Sequence, residues 1–170
     1  MTPVQFQANL NDKDMYRFNM YHSYTGGQGI FSIIVAVVIF IVTAVTYGNI
    51  DRIDSMMYVC LGIIFLLFMP INLKLRSKRQ IAMSEVLQET LHYLLEEEGI
   101  VVTTDASEDS ATLPWNMVYK VVTTKHNLLI YSNKVNAYII PRTCIEEQYP
   151  AIKVVLEDKL EDYRLRLKWV

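Results

Sequence analysis

The residue types that most often carry chemistry are few in this chain and poorly placed for it. Three histidines, His22, His92 and His126, stand far apart. None is at the HExxH spacing that sets two imidazoles on one helix face to hold zinc. Of the two cysteines, Cys60 lies inside an apolar run and Cys144 in the later half of the chain. No disulfide is expected between them, and Cys144 has no sequence cue for a lowered pKa. No serine sits in a nucleophile-elbow pattern. Gly26-Gly27-Gln28-Gly29 has the look of a phosphate loop, but no Gly-Lys-Ser/Thr follows, and Ser32 stands where a dinucleotide fingerprint needs its third glycine. It reads as a flexible hinge. Glu96-Glu97-Glu98 reads as a solvated turn, and Asp105-Ala106-Ser107-Glu108-Asp109 lacks the ligand order of an EF-hand. The expectation is therefore a chain that is not an enzyme, with no catalytic residue, no metal site and no cofactor. Trp115, directly after Pro114, is expected to plug a barrel end or core; a ligand-binding aromatic is the sharper alternative.

What dominates instead is apolar sequence. The 170 residues are 52% hydrophobic and 20% charged, too apolar for a disordered chain. The net charge of −2, and a set of aromatics not interleaved with basic residues, give no support for nucleic-acid binding. Mean hydropathy is +0.19, and the excess sits in two blocks, Ile30–Tyr47 and Met56–Leu73, neither holding a charge. A helix of that length covers roughly 27 Å, close to a hydrocarbon core of about 30 Å. Both blocks are apolar on every side, and the rest of the chain is too small to wrap them in a soluble core. The first block starts too late and is followed by no small-residue cleavage site, so a removed signal peptide is not expected.

The short connector, residues 48–55, makes the two blocks antiparallel neighbours, a transmembrane hairpin. It carries one cation, Arg52, beside Asp51 and Asp54. The segment after the second block carries Lys74, Arg76, Lys78 and Arg79, and the segment before the first has Lys13 and Arg17. The positive-inside bias then puts both termini in the cytoplasm and the connector outside. Lys74, Arg76, Lys78 and Arg79 are expected to form a basic cluster at the anionic inner leaflet. Between Gln80 and Tyr119 no Lys or Arg occurs, but eight acids do, so charge is segregated away from that leaflet. Ser32 and Ala36 are expected to pack against Gly62, and Pro70 to lie at the inner end of the second span, where a kink costs least.

Residues 1–29 read as a strand, Val4–Leu10, and a helix to about Tyr24 capped by Asn11 or Asp12. Met15, Phe18, Tyr21 and His22 share one helix face, and that face either lies at the membrane interface or packs on the cytoplasmic domain. Residues 74–170 form that domain. A helix over about Leu75–Thr90 continues the second span. Five or six short strands follow, including 92–95, 100–104, 112–115, 118–124, 128–131 and 137–140. Ile152, Val155, Leu156, Leu160 and Tyr163 stand at helical spacing towards the end. The fold class expected is α+β: a two-helix transmembrane hairpin plus a cytoplasmic antiparallel β-barrel or sandwich with a C-terminal helix, which the strand Val4–Leu10 can extend.

In order along the chain come the hairpin, the basic linker, Tyr93 to Ile100 around an acidic turn, Pro114-Trp115, Lys120-Val121-Val122 and Ile139-Ile140-Pro141-Arg142 before a helix. This order resembles the YcxB-like family of small bacterial membrane proteins, which is similar in turn to PH-like domains that pair a β-barrel with a C-terminal helix. The resemblance implies a multi-pass protein of the bacterial cell membrane and a PH-like cytoplasmic domain; it carries no catalytic residue or cofactor. The expected function is a non-enzymatic, membrane-anchored interaction or regulatory module. Its partners would be the lipid bilayer and either a protein or further copies of the chain. The alternative is a small oligomeric subunit associated with a transporter or channel.

Overall fold

The computed structural model describes residues 3–105 and 110–169. The acids Glu108 and Asp109, and the end of the turn that begins at Asp105, lie outside the described residues.

Strand β1 (Val4–Asn9) alternates outward Gln5, Gln7 and Asn9 with buried Phe6 and Ala8, the period of a half-buried strand. Asn11 stops it and caps helix α1 (Asp12–Thr25): its side-chain oxygen accepts from the Lys13 and Asp14 backbone N–H groups at 2.9 and 3.0 Å. Between α1 and helix α2 (Gln28–Thr46), Gly27 takes a φ of +95°, which only glycine adopts without strain. A short loop leads from α2 to helix α3 (Arg52–Ala82), which is 31 residues long.

Helix α3 does not end with its apolar stretch. It runs through Pro70 and on for roughly three turns, so Pro70 is interior to the helix while standing close to the end of its charge-free run. Leaving the Leu66 carbonyl without its usual donor does not stop a helix held on one side by α2 and α1. The predicted small-residue seam is also different. The Ser32 hydroxyl donates to the Phe65 carbonyl at 2.7 Å, and Gly62 makes room for the Phe40 ring, which lies 2.6 Å from where a Cβ would be. Both α2 and α3 are long and apolar enough to cross a membrane. Their outward faces are bare of protein: Phe31 is 67%, Val45 74% and Phe68 60% exposed.

After a single turn, α4 (Glu85–Gln88), come β2 (Thr90–Leu95), β3 (Gly99–Thr104) and β4 (Ala111–Pro114). With β1 they form one antiparallel sheet in the order β1-β2-β3-β4. The register of β1 on β2 runs from Val4 opposite Leu95 to Asn9 opposite Thr90, and the Phe6 and Tyr93 rings stack at 5.0 Å. The N-terminal strand therefore completes this sheet, and α1–α4, with both long helices, are an insertion between its first two strands.

Trp115–Met117 make a tight turn into the second sheet, built from β5 (Lys120–Thr123), β6 (Asn127–Tyr131) and β7 (Ala137–Pro141). Helix α5 (Tyr149–Lys159) follows, and then a two-residue strand β8 (Leu165–Arg166) that pairs in parallel with β5. The order is β7-β6-β5-β8. Of the barrel or sandwich expected, the strands form two separate four-stranded sheets and, among the described residues, no closed barrel. The helix predicted to reach Tyr163 ends at Lys159. Tyr163 is exposed in a later turn, and the chain beyond it returns to the sheet so that Trp169 is buried, its Nε1 donating to the Thr124 carbonyl at 2.6 Å.

The second sheet is covered on both faces. Val121, Leu128, Ile130 and Ile140 join Tyr93, Leu95 and Ile100 of the first sheet and Ile152 and Leu156 of α5 in one core. Their neighbours Val122, Leu129, Tyr131 and Ile139 point the other way, onto Met15 and Phe18 of α1. Of the two places open to α1, the membrane interface or the domain, it takes the domain.

Candidate functional site

The histidines and cysteines are not brought together. His92 pairs with Asp105 at 2.6 Å on the outer side of β2, and His126 is exposed in the β5–β6 turn. His22 lies against the Phe18 and Tyr131 rings. Cys60 is exposed on α3 and Cys144 half-buried, both as free thiols. Among the described residues no group of three or more His, Cys, Asp and Glu converges on a point. Trp115 is buried, and its indole Nε1 donates to the Glu96 carbonyl at 2.9 Å, so the core reading of this residue holds over the ligand reading. Glu97 of the same acidic turn pairs with Lys159 at the end of α5.

The structure concentrates polar side chains elsewhere, at the junction of the long helices with the sheets. Leu73, Arg76 and Gln80 fall on one face of α3 at intervals of three and four residues. Met15, Phe18, Asn19 and His22 do the same on α1. Asn19 joins the two helices: its Nδ2 donates at 2.8 Å both to Ser77 Oγ and to Gln80 Oε1. Ser77 Oγ in turn donates to the Leu73 carbonyl at 2.7 Å. Beside this contact a cavity of about 460 Å³ opens between α1, α3, β2 and β7. Its polar rim includes Asn19, His22, Ser23, Gln28, Arg76 and Asn136; its apolar wall includes Phe18, Leu73, Leu91, Tyr138 and Ile139. No Asp or Glu lines it, and Arg76 is its one permanently charged residue. Among the described residues Arg76 has no carboxylate partner.

Burial pushes the Tyr93 hydroxyl well above its ordinary pKa, with Tyr138 and Cys144 adding to the shift, and among the described residues that hydroxyl has no hydrogen-bond partner. Tyr131, on the α1 side, is pushed up to about 12 by burial and then by Tyr21. Lys120, whose Nζ lies 4.5 Å from the Tyr131 ring centroid, has its pKa lowered by burial and by Arg166. His126 is lowered by burial and by the nearby Arg17 and Lys125.

The four cations predicted as a basic cluster all lie on the last turns of α3, and all are exposed. Only Arg76 is turned so that it also lines the cavity; Lys74, Lys78 and Arg79 do not. Sequence reasoning grouped the four by count and missed the cavity. The signal was the spacing of Leu73, Arg76 and Gln80, matched by the polar side of α1. Two further concavities, along Met56, Leu61 and Ile64 and along Ile64, Leu67 and Phe68 of α3, are almost wholly apolar in the surface they expose.

No curated protein and no solved structure matches the chain. The model of the family described as YcxB-like protein matches residues 95–153, from the last residue of β2 into α5, so over that segment the chain is similar to the YcxB-like family.

Proposed function

We propose that this is a non-enzymatic, membrane-anchored protein whose two-sheet domain works as a cytoplasmic interaction or regulatory module. The observation that carries the reading is the continuity of α3. One helix leaves the apolar hairpin and, without a break, becomes the element on which α1 and the cavity are built. A shift of the hairpin is then passed to the domain as a rigid movement, which a flexible linker would not do.

Several features support the membrane part of the reading. The bare apolar faces of α2 and α3 far exceed the patch that a soluble monomer exposes, and lipid removes that surface from water. The pairing of β1 with β2 across the hairpin fits a chain that crosses twice and returns to the side it left. The exposed Lys74, Lys78 and Arg79 begin one residue after Leu73, at the level where anionic head groups attract them. For the domain, two sheets sharing a core with a C-terminal helix support a PH-like relationship, a scaffold suited to binding rather than to one chemistry.

A cysteine placed at Asn49 in the α2–α3 loop should react with an impermeant reagent from outside intact cells. Reaction only after permeabilisation refutes the orientation. A pull-down of the full chain from mild detergent tests the module: a distinct protein partner supports it, whereas a stoichiometric homo-oligomer that passes ions in liposomes favours the transport-subunit reading.

A further inference from the structure

We infer that the cavity between α1, α3, β2 and β7 is a binding site for an anionic head group, with Arg76 as its charge-reading residue and an acidic phospholipid as its occupant; this rests on the membrane reading above. Its volume of about 460 Å³ falls within the range of small-ligand sites. The lining is divided in the manner of an amphiphile. Asn19, His22, Gln28, Arg76 and Asn136 supply polar groups, while Phe18, Leu73 and Ile139 supply an apolar wall. The charge is one-sided: Arg76 lines the space, and among the described residues no carboxylate lines it and none pairs with Arg76. A guanidinium in that position presents a planar fork of donors matched to phosphate oxygens.

Placement selects the source of the anion. Leu73 is the last residue of the charge-free stretch of α3, Arg76 is one turn beyond it, and Gln28 is the first residue of α2. All three line the cavity, so it lies where the hairpin passes from apolar to polar sequence, the depth of phospholipid head groups. A lipid beside the hairpin reaches it by lateral diffusion, whereas a soluble anion arrives from the cytoplasm with no help from the helices.

The test uses the full chain purified in a neutral detergent and titrated with a short-chain phosphatidylglycerol, the phosphatidylcholine of the same chain length, or inorganic phosphate, read by thermal stability. The phosphatidylglycerol should raise the melting temperature saturably, and the phosphatidylcholine should not. Arg76→Gln should weaken the response about tenfold. Lys78→Gln, which removes an equal charge from the same helix but not from the cavity, should change it less than twofold. Equal losses in the two variants overturn the site, since the effect is then general surface charge. An equally strong, Arg76-dependent response to inorganic phosphate keeps the anion site but overturns the lipid as its occupant. No saturable response to any of the three overturns the proposal. Alkaline extraction of cell membranes, run on the same chain, reports separately on the membrane reading: a chain released by alkali overturns that reading whatever the titrations show.

Discussion

Replacing Trp115 with alanine is the most informative single perturbation of the domain. The side chain is 8% exposed and belongs to the core shared by both sheets and α5. It sits where the chain passes from β4 to β5, so it packs between the two sheets at their only direct chain crossing. Truncating a buried tryptophan costs about 3–5 kcal/mol. The indole Nε1 bond to the Glu96 carbonyl adds little to this, because Glu96 is exposed and water can replace the donor. A domain of this size has about 5–15 kcal/mol of stability in all. At roughly 4 °C per kcal/mol, the melting temperature should fall by about 12–20 °C. Trp115→Phe is the milder change. It keeps one buried aromatic ring but loses the hydrogen bond and the pyrrole part of the indole, about 1–3 kcal/mol, or a fall of about 4–12 °C, smaller than for alanine. The assay is the thermal melt of the full chain in detergent, since β1 lies before the hairpin and a fragment beginning after α3 lacks an edge strand. An alanine variant that melts within a degree or two of the parent refutes the core role and makes this corner a partner-binding surface.

Three more outcomes follow from the same structure. A Cβ on Gly99 would meet the Leu113 carbonyl and lie 2.9 Å from Pro114 Cα, both backbone, so Gly99→Ala must push β4 off β3 and should cost roughly 2–4 kcal/mol, measured by denaturant melts; a loss under about 0.5 kcal/mol contradicts the register. Tyr131 is held neutral in the folded state with its pKa pushed up to about 12, above the unfolded value of 10. Its contribution is therefore intact below pH 10 and is lost as pH rises from about 10 towards 12; phenolate absorbance in step with unfolding checks this, and full ionisation near pH 10 in a folded chain refutes it. Changing Lys74, Arg76, Lys78 and Arg79 together to glutamine should leave the sheet fold intact, each cation being worth about 1 kcal/mol at an anionic surface, and should raise the share of inverted chains scored by labelling at Asn49; an unchanged orientation removes the cluster's topological role.

The elements were largely legible in the sequence, and their assembly was not. The two charge-free runs announce α2 and α3, and alternation announces β1, because both signals are local. Whether the strands close into a barrel or divide into two sheets depends on edge pairing that no local pattern encodes, and they divide. The place of α1 was half written. Lys120–Thr123, Asn127–Tyr131 and Ala137–Pro141 read as nearly unbroken apolar runs, the mark of strands covered on both faces. One cover is the first sheet with α5; the other had to be a further amphipathic element, and α1 is the one available. Strand β8 is two residues long and carried no readable signal. The cavity escaped because it is made by the spacing of residues on two helices far apart in sequence, joined by Asn19.

The insertion of the hairpin between β1 and β2 sets an order on the birth of the molecule. Phe6 is synthesised long before its partner Tyr93, and both long helices are made in between. With the hairpin in a bilayer, β1 must wait, unpaired, until two crossings have brought β2 back to its side. A chain that makes only one crossing leaves the two strands on opposite faces of the membrane. Its sheet then lacks an edge, and the backbone of β2 and the ring of Tyr93 stay uncovered. In a bilayer, sheet completion would therefore separate the two kinds of chain: one threaded correctly would bury that edge, and one threaded wrongly would display it to proteases and chaperones.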